Sequence, residues 1–285
     1  MRTKFDPLDI NKSDDYDFVT AEKFELFDEN GKKLKFHKGV RDVDNHDKVF
    51  AVVSNSYKIA QHKEVFDSIY GFVSELGMKH EISVTTDNDG GVLFLNIRFP
   101  DIAFNVGGHK ANLYMPIKNS YDCTQALKGW VIARTIINDK VYLYKSSESW
   151  GDFYNKHVQS LDIVSFQRKM EKGINNFQTN LKKKLESYNN TPIDPQKALL
   201  FLQECQKDNP NNIPKKVFAE MEKILHNGGD TVTSVNDLNN QYKLYTLGME
   251  AVEKTRKSDN SAYENSIKMD KFVKSKIDQF KGFGV

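Results

Sequence analysis

Hydrophobic and polar positions alternate through much of the first half of the chain, as they do in half-buried β-strands. Segments 92–99 and 113–118 follow this pattern and are rich in aromatic residues, and segments 130–137 and 140–145 indicate a hairpin. Shorter strands are predicted at 24–27 and 33–36, on either side of an Asp-Glu-Asn-Gly turn, and at 49–53 and 81–86. Apolar residues recur every three or four positions over 64–76, which predicts a helix ending at Gly77.

The second half of the chain changes to a helical period. Its clearest amphipathic helix is predicted over 161–188, where six apolar residues follow one another at steps of four, four, three, four and four: Phe166, Met170, Ile174, Phe177, Leu181 and Leu185. Further helices are predicted at 195–207, 214–227, 234–256 and 261–281. The expected fold class is α+β, with a mixed N-terminal region of antiparallel sheet and packed helix followed by an all-helical C-terminal region. The expected domains are a polar arm at 1–20, a sheet domain at 21–160 and a helical region at 161–285.

Composition limits the possible cellular locations of the protein more than its possible functions. The formal net charge of the 285 residues is +2, so attraction to nucleic acid must come from local clusters of charge. Cys123 and Cys205 are the only cysteines and lie far apart, which predicts neither a disulfide framework nor a zinc site. Without an apolar signal core or a run of about 18 apolar residues, we expect a cytoplasmic protein with no membrane contact, in the host cytoplasm if phage-encoded.

Recognisable catalytic chemistry is absent from the sequence. None of the seven histidines stands at ligand spacing from another histidine or a cysteine, so no metal is predicted. The acidic segment 42–47 lacks the glycine and terminal glutamate of a calcium loop, and the glycine pairs do not fit a phosphate loop. We therefore expect no cofactor and a binding protein rather than an enzyme. An enzyme with a site assembled from Asp122, His109 and Arg134 is the least supported alternative.

Basic residues near strand aromatics suggest a nucleic-acid surface, in which cations meet phosphates and aromatic rings stack on bases. Tyr114, Trp130, Tyr142 and Tyr144 are further aromatic candidates. The alternative is that the lysines are the solvated faces of ordinary helices and the aromatic rings belong to the core. The residues predicted to bind nucleic acid are Arg98, Lys110, Lys118, Tyr121, Lys128, Arg134, Arg168, Lys169, Lys172, Lys182, Lys183 and Lys184.

Two segments carry a family resemblance. Segment 50–62 reads Phe-Ala-Val-Val-Ser-Asn-Ser-Tyr-Lys-Ile-Ala-Gln-His, and segment 119–127 reads Asn-Ser-Tyr-Asp-Cys-Thr-Gln-Ala-Leu. Together with Arg134, they resemble the phage/plasmid-like proteins of domain of unknown function 932, over roughly residues 35–190. Tyr121, Cys123 and Asp139 stand where that family usually has His, Gly and Gly. The resemblance implies a phage or mobile-element setting rather than a reaction.

The run from Asn119 to Asp122 has two interpretations. Its side chains can bond nearby backbone groups and cap a short helix through Ala126 and Leu127, or they can contact a ligand. For the whole chain, the first hypothesis is a phage or mobile-element protein that binds single-stranded DNA, similar to single-strand annealing recombinases and acting in DNA recombination through self-assembly. The alternative is a phage structural or host-interaction protein that binds other proteins.

Overall fold

The computed structural model of the chain describes residues 16–106, 108–137, 140–144, 153–157, 162–208, 212–255 and 264–274. Residues 1–15 of the predicted arm and the turn at 138–139 lie outside the described residues, as do the ends of the last predicted helix. The side chains of Tyr142 and Tyr144 also lie outside that description. The chain divides into two compact units: the first comprises 1–101, 114–131 and 151–174, and the second comprises 102–113, 132–150 and 175–285.

All ten strands of the described residues lie before residue 156. Their bounds are β1 Ala21–Phe27, β2 Lys33–Asp42, β3 Val49–Ser54, β4 Glu81–Asp87, β5 Val92–Val106, β6 His109–Ser120, β7 Leu127–Gly129, β8 Ile132–Ile137, β9 Lys140–Tyr144 and β10 Phe153–Asn155. The helices are α1 His62–Glu75, α2 Ile163–Asn176, α3 Lys182–Asn189, α4 Pro195–Asp208, α5 Lys215–Asn227 and α6 Gln241–Thr255, with a last helix, α7, at 264–274.

The first three strands form a separate antiparallel sheet in the order β1-β2-β3. Asp28 closes the predicted turn, because its Oδ1 accepts the backbone N–H groups of Asn30 and Lys32. Gly39 lies opposite Phe24, and a Cβ at that position would meet the Phe24 ring at 2.2 Å. Glycine is therefore needed there so that the ring can lie across the strand.

The larger sheet is built around two long neighbouring strands, β5 and β6, which contribute residues to both units. Its strand order is β10-β7-β6-β5-β4, and β8 pairs with both β6 and β9. Alternation along β5 places Leu93, Leu95 and Ile97 in the core, whereas Phe94 and Asn96 between them are only half-buried. The predicted N-terminal mixture of antiparallel sheet and helix is thus confirmed, and the second face of this sheet remains available for contacts.

A π-helical turn, Phe177–Leu181, interrupts the long amphipathic helix between α2 and α3. From Phe166 to Leu185 the apolar steps average 3.8 residues, so an unbroken α-helix would let the apolar stripe drift by about 100°. A π turn holds more residues per turn and removes part of that drift. All six predicted apolar residues are consequently buried, Phe177 and Leu181 among them.

The expected all-helical C-terminal region is wrong. Helices and strands are interspersed, since α1 lies between β3 and β4, and the helices after residue 175 share one compact unit with segments of β5, β6, β8 and β9. An isolated bridge also pairs Pro192 with Asn240 among those helices. Helical periodicity identified the helices but carried no information on which strands they join. The boundary proposed at 160/161 remains a prediction.

Glu250 organises the loop between α5 and α6 in the second unit, although its side chain is fully buried. Its carboxylate accepts the backbone N–H groups of Asp230 and Thr231 and the Thr231 hydroxyl at 2.8–3.1 Å. Lys254 lies 2.8 Å away and balances the charge. A Cβ at Gly229 would meet a Glu250 oxygen at 2.7 Å, so the loop closes tightly over the carboxylate.

We predict that Glu250→Ala lowers the free energy of unfolding by about 3 kcal/mol, because it leaves the buried donors without an acceptor and the Lys254 ammonium without its counter-charge. Urea denaturation followed by circular dichroism measures this change. Glu204→Ala, at an exposed position of α4, is the matched control and should change the free energy by less than about 0.5 kcal/mol. Equal stabilities of the two variants would contradict the structural role of Glu250.

Candidate functional site

The half-buried face of the larger sheet carries a row of side chains that crosses its strands in the first unit. Strand registers place Thr85 opposite Phe94, Lys118 opposite Lys128, and Lys128 opposite Tyr154. Directly opposed residues lie on the same face of a sheet, and the Lys118 ammonium lies 4.4 Å from the centre of the Phe94 ring. We call Phe94, Lys118, Lys128 and Tyr154 the sheet row.

Within the sheet row, two lysines lie between two aromatic rings. The Lys118 side chain lies over the Phe94 ring. The Lys128 ammonium lies 5.6 Å from the centre of the Tyr154 ring and 3.4 Å from the side-chain oxygen of Gln125. Like charges directly opposite each other on neighbouring strands are unfavourable. The two ammonium groups lean toward different rings, on opposite sides of the β6–β7 pair.

Arg98 shares this face but is engaged elsewhere. Its guanidinium forms a 3.1 Å ion pair with Glu81, its partner across the β4–β5 ladder. Lys110 and Arg134 belong to the second unit, where Lys110 is exposed and Arg134 is half-buried. Of the predicted strand residues, the structure therefore brings Lys118 and Lys128 together and adds Phe94 and Tyr154, which the sequence had not singled out.

Tyr121 is completely buried, so it cannot stack on a base as predicted. Its hydroxyl accepts the backbone N–H of His62 at 2.7 Å and lies 3.0 Å from the acceptors on Val19 and Gln61. The ring stacks on His62 with centres 3.8 Å apart. Tyr121 therefore connects the end of β6 to the start of α1.

His62 and Asn119 are two buried polar side chains that bond each other beside Tyr121. Asn119 donates to the Ala60 carbonyl and to Nδ1 of His62, while Nε2 of His62 lies 3.1 Å from the Gly90 carbonyl. This pattern fits a neutral ring that donates through Nε2. Burial lowers the pKa of His62 from 6.5 to about 3, so the ring stays uncharged at neutral pH.

The rest of the run builds a turn. Ser120 Oγ bonds both the N–H and the carbonyl of Gln125, and Asp122 accepts the N–H and hydroxyl of Thr124. These bonds agree with the turn interpretation of the run. The helix expected through Ala126 and Leu127 is wrong, because strand β7 begins at Leu127 and these side chains bond one another within the turn.

Comparison with known proteins places this geometry in a family. The sequence model of the family described as Domain of unknown function (DUF932) matches residues 49–269. The chain belongs to this family. The predicted resemblance is confirmed and reaches further along the chain than the residues from which it was inferred. No curated protein and no solved structure matches the chain.

Cys123 is one of the motif positions at which this DUF932 protein departs from the family pattern. Burial raises the pKa of the Cys123 thiol, which disfavours the nucleophilic thiolate, and the residue has a left-handed backbone with φ of 60°. Within the described ranges, no group of three His, Cys, Asp or Glu side chains could hold a metal ion. No described helix is long and apolar enough to cross a membrane.

The predicted basic helix divides into parts with different surroundings. Arg168, Lys169 and Lys172 are exposed on α2 and line a shallow cleft in the first unit. Lys184 instead lies 2.6 Å from Asp270 in a largely buried ion pair of the second unit, so it cannot serve as a surface cation. Lys182 and Lys183 are exposed on α3, and Lys182 lies 3.8 Å from Glu186.

We predict that lowering the pH from 7 to 5 weakens the fold through His62. Its folded-state pKa lies below that of the unfolded chain, so the unfolded state binds the proton first and stability falls as pH drops through 6.5. The expected loss is about 2 kcal/mol in the free energy of unfolding over this range.

Chemical denaturation of His62→Gln at pH 5, 6 and 7 tests this prediction. The variant should be less stable than the wild type at pH 7, and its stability should depend less on pH because the contribution of His62 is gone. Some pH dependence should remain, because burial also lowers the pKa of His157. His37→Gln, on an exposed strand position, serves as the control and should keep the wild-type slope. A His62→Gln slope equal to that of the wild type would refute the assignment.

Proposed function

We propose that this phage or mobile-element protein binds single-stranded DNA on the sheet row, in the manner of a single-strand annealing protein acting in the host cytoplasm. The observation that carries the proposal is the cross-strand order Phe94, Lys118, Lys128, Tyr154 on one face. Proteins that bind single strands combine cations along the phosphates with aromatic platforms for the bases. The sheet row contains both groups at adjacent strand positions.

Stacking on the two rings favours a single strand over a duplex. Phe94 and Tyr154 are separated by three strand-to-strand steps, or about 14 Å. A base that stacks on either ring must turn its flat face toward the protein, which an unpaired strand allows and a duplex, whose bases stack on one another, resists.

Lys118 and Lys128 lie between the rings, where the backbone linking the two bases would pass. Each phosphate contact to a single strand releases counterions and contributes about −0.7 to the slope of log affinity against log salt. Binding should therefore weaken as salt rises, although the net charge of the chain is only +2.

We predict that Lys118→Gln/Lys128→Gln makes the salt slope for a fluorescent oligo-dT shallower by about 1.4, as measured by fluorescence anisotropy. Tyr154→Ala should weaken binding about 10-fold at low salt because a stacking surface is lost, whereas Tyr154→Phe should bind like the wild type. Lys32→Gln/Lys79→Gln removes the same charge at other exposed positions of the first unit and serves as the control. Absence of wild-type binding at 50 mM salt would refute the proposal.

Exposed apolar residues on the small sheet favour self-association as a second candidate function. Phe27, Phe36, Val49 and Val52 on β1, β2 and β3 are each more than half exposed, and Phe36 reaches 75%. Val49 and Val52 lie opposite Arg41 and Gly39 of β2 and therefore share one face, whereas Phe36 belongs with Val40 to the other face. Neighbouring exposed apolar side chains on one face are typical of protein interfaces. Lys33 and Lys35 flank this surface on β2, at exposed positions.

For this candidate, we predict that the wild-type protein sediments as an oligomer and that Val49→Ser/Val52→Ser shifts it toward the monomer, because burial of these side chains drives the association. Analytical ultracentrifugation over a range of concentrations measures the shift. Val164→Ser/Leu200→Ser, at two other exposed apolar positions, is the control. A monomeric wild-type protein would exclude this candidate.

A further inference from the structure

Strand β10 joins the sheet row to a second basic surface. Among the described strands, β10 is the end strand of its sheet and pairs with β7 alone. Its successive residues Phe153 and Tyr154 point to opposite faces, because side chains alternate along a strand. Tyr154 is thereby part of the sheet row, and Phe153 faces the buried side, opposite Gly129.

Helix α2 packs on the Phe153 side of this end strand. The Phe166 ring meets the Phe153 ring edge-on with centres 4.4 Å apart. It also lies 3.7 Å from the position that a Cβ of Gly129 would occupy. The ammonium of Lys169 lies 5.8 Å from the centre of the Phe153 ring. Lys169 is therefore held at the sheet edge, one residue along β10 from the ring of the sheet row.

Three exposed cations cluster at this edge, which we call the α2 cluster: Arg168, Lys169 and Lys172. They line a cleft with Asp162, Val164 and Ser165. The Asp162 carboxylate accepts the Ser165 N–H, so its charge is engaged at the start of the helix. Glu171 is the other acidic residue of this stretch, and no recorded ion pair joins it to Arg168 or Lys172 within the described ranges.

We infer that the nucleic-acid path continues from Tyr154 over the edge of β10 to the α2 cluster, where three further phosphates are bound. The inference rests on the proposed function of the sheet row and extends it to a longer site. A strand that leaves the Tyr154 ring and passes the end of the sheet comes to the edge where Lys169 lies over Phe153. The inferred path is confined to the first unit, and Lys182 and Lys183 belong to the second.

Oligomer length separates the two parts of the site. A five-nucleotide oligo-dT should occupy the sheet row alone, and a twenty-nucleotide oligo-dT should reach the α2 cluster as well. Arg168→Gln/Lys169→Gln/Lys172→Gln should leave the short oligomer bound within 2-fold of the wild type at low salt. For the long oligomer it should lower affinity at least 10-fold and reduce the salt slope by about 2, because three phosphate contacts are lost.

Lys207→Gln/Lys215→Gln/Lys223→Gln removes the same charge from exposed helix positions of the second unit and should leave the binding of both oligomers unchanged. Lys169→Met keeps the side-chain stem over Phe153 and should show about one third of the slope change. Thermal denaturation of each variant establishes that the fold is intact.

An unchanged salt slope of the α2 triple variant for the long oligomer would overturn the extended path. Equal weakening of the short and long oligomers would also overturn it, because the cluster would then be part of the sheet-row site itself. The proposed function fails separately, if the wild-type protein binds neither length at 50 mM salt. It stands if Tyr154→Ala weakens the short oligomer while the α2 triple variant does not.

Discussion

The strict alternation of side chains along β5 and β6 is the constraint on which the structure depends. Once Leu93, Leu95 and Ile97 are committed to the core, Phe94 and Asn96 must face the other way. A shift of one residue in the register would exchange the two faces and expose the apolar set. The register that buries the core therefore also aligns Lys118, Lys128 and Tyr154 on the opposite face.

A buried polar network holds this register where β6 ends. Tyr121, His62 and Asn119 bond four backbone carbonyl or N–H groups, and Asn119 also donates to the His62 ring, which burial keeps neutral. Buried polar groups are costly when unpaired, so such a network specifies one arrangement of the chain. The part of the family motif that looked suitable for ligand contact thus positions the sheet whose open face we propose binds the ligand.

Local pattern was sufficient for the longer elements and insufficient for the three-residue strands and for the surroundings of each side chain. Alternation and helical periodicity predicted β5, β6, α1 and the long helix, and the same parity would have placed Phe94 opposite the core. Tyr121 and Lys184 were misjudged because burial and the Asp270 partner arise from segments distant in the chain. Tyr154 gave no signal, since a three-residue strand is too short to show a period. The π turn, too, is visible only as the average apolar step of the helix.

Gln61 closes the outer edge of the small sheet at the first residue of β1. Its side-chain amide donates to the Ala21 carbonyl and its oxygen accepts the Ala21 N–H, which are the two bonds that a neighbouring strand would make. One side chain thus imitates a strand residue and occupies the outer edge of β1 at Ala21. Open strand edges recruit other chains and seed aggregates. A further chain therefore finds no open backbone hydrogen bond on β1 at Ala21, although this sheet exposes several apolar side chains.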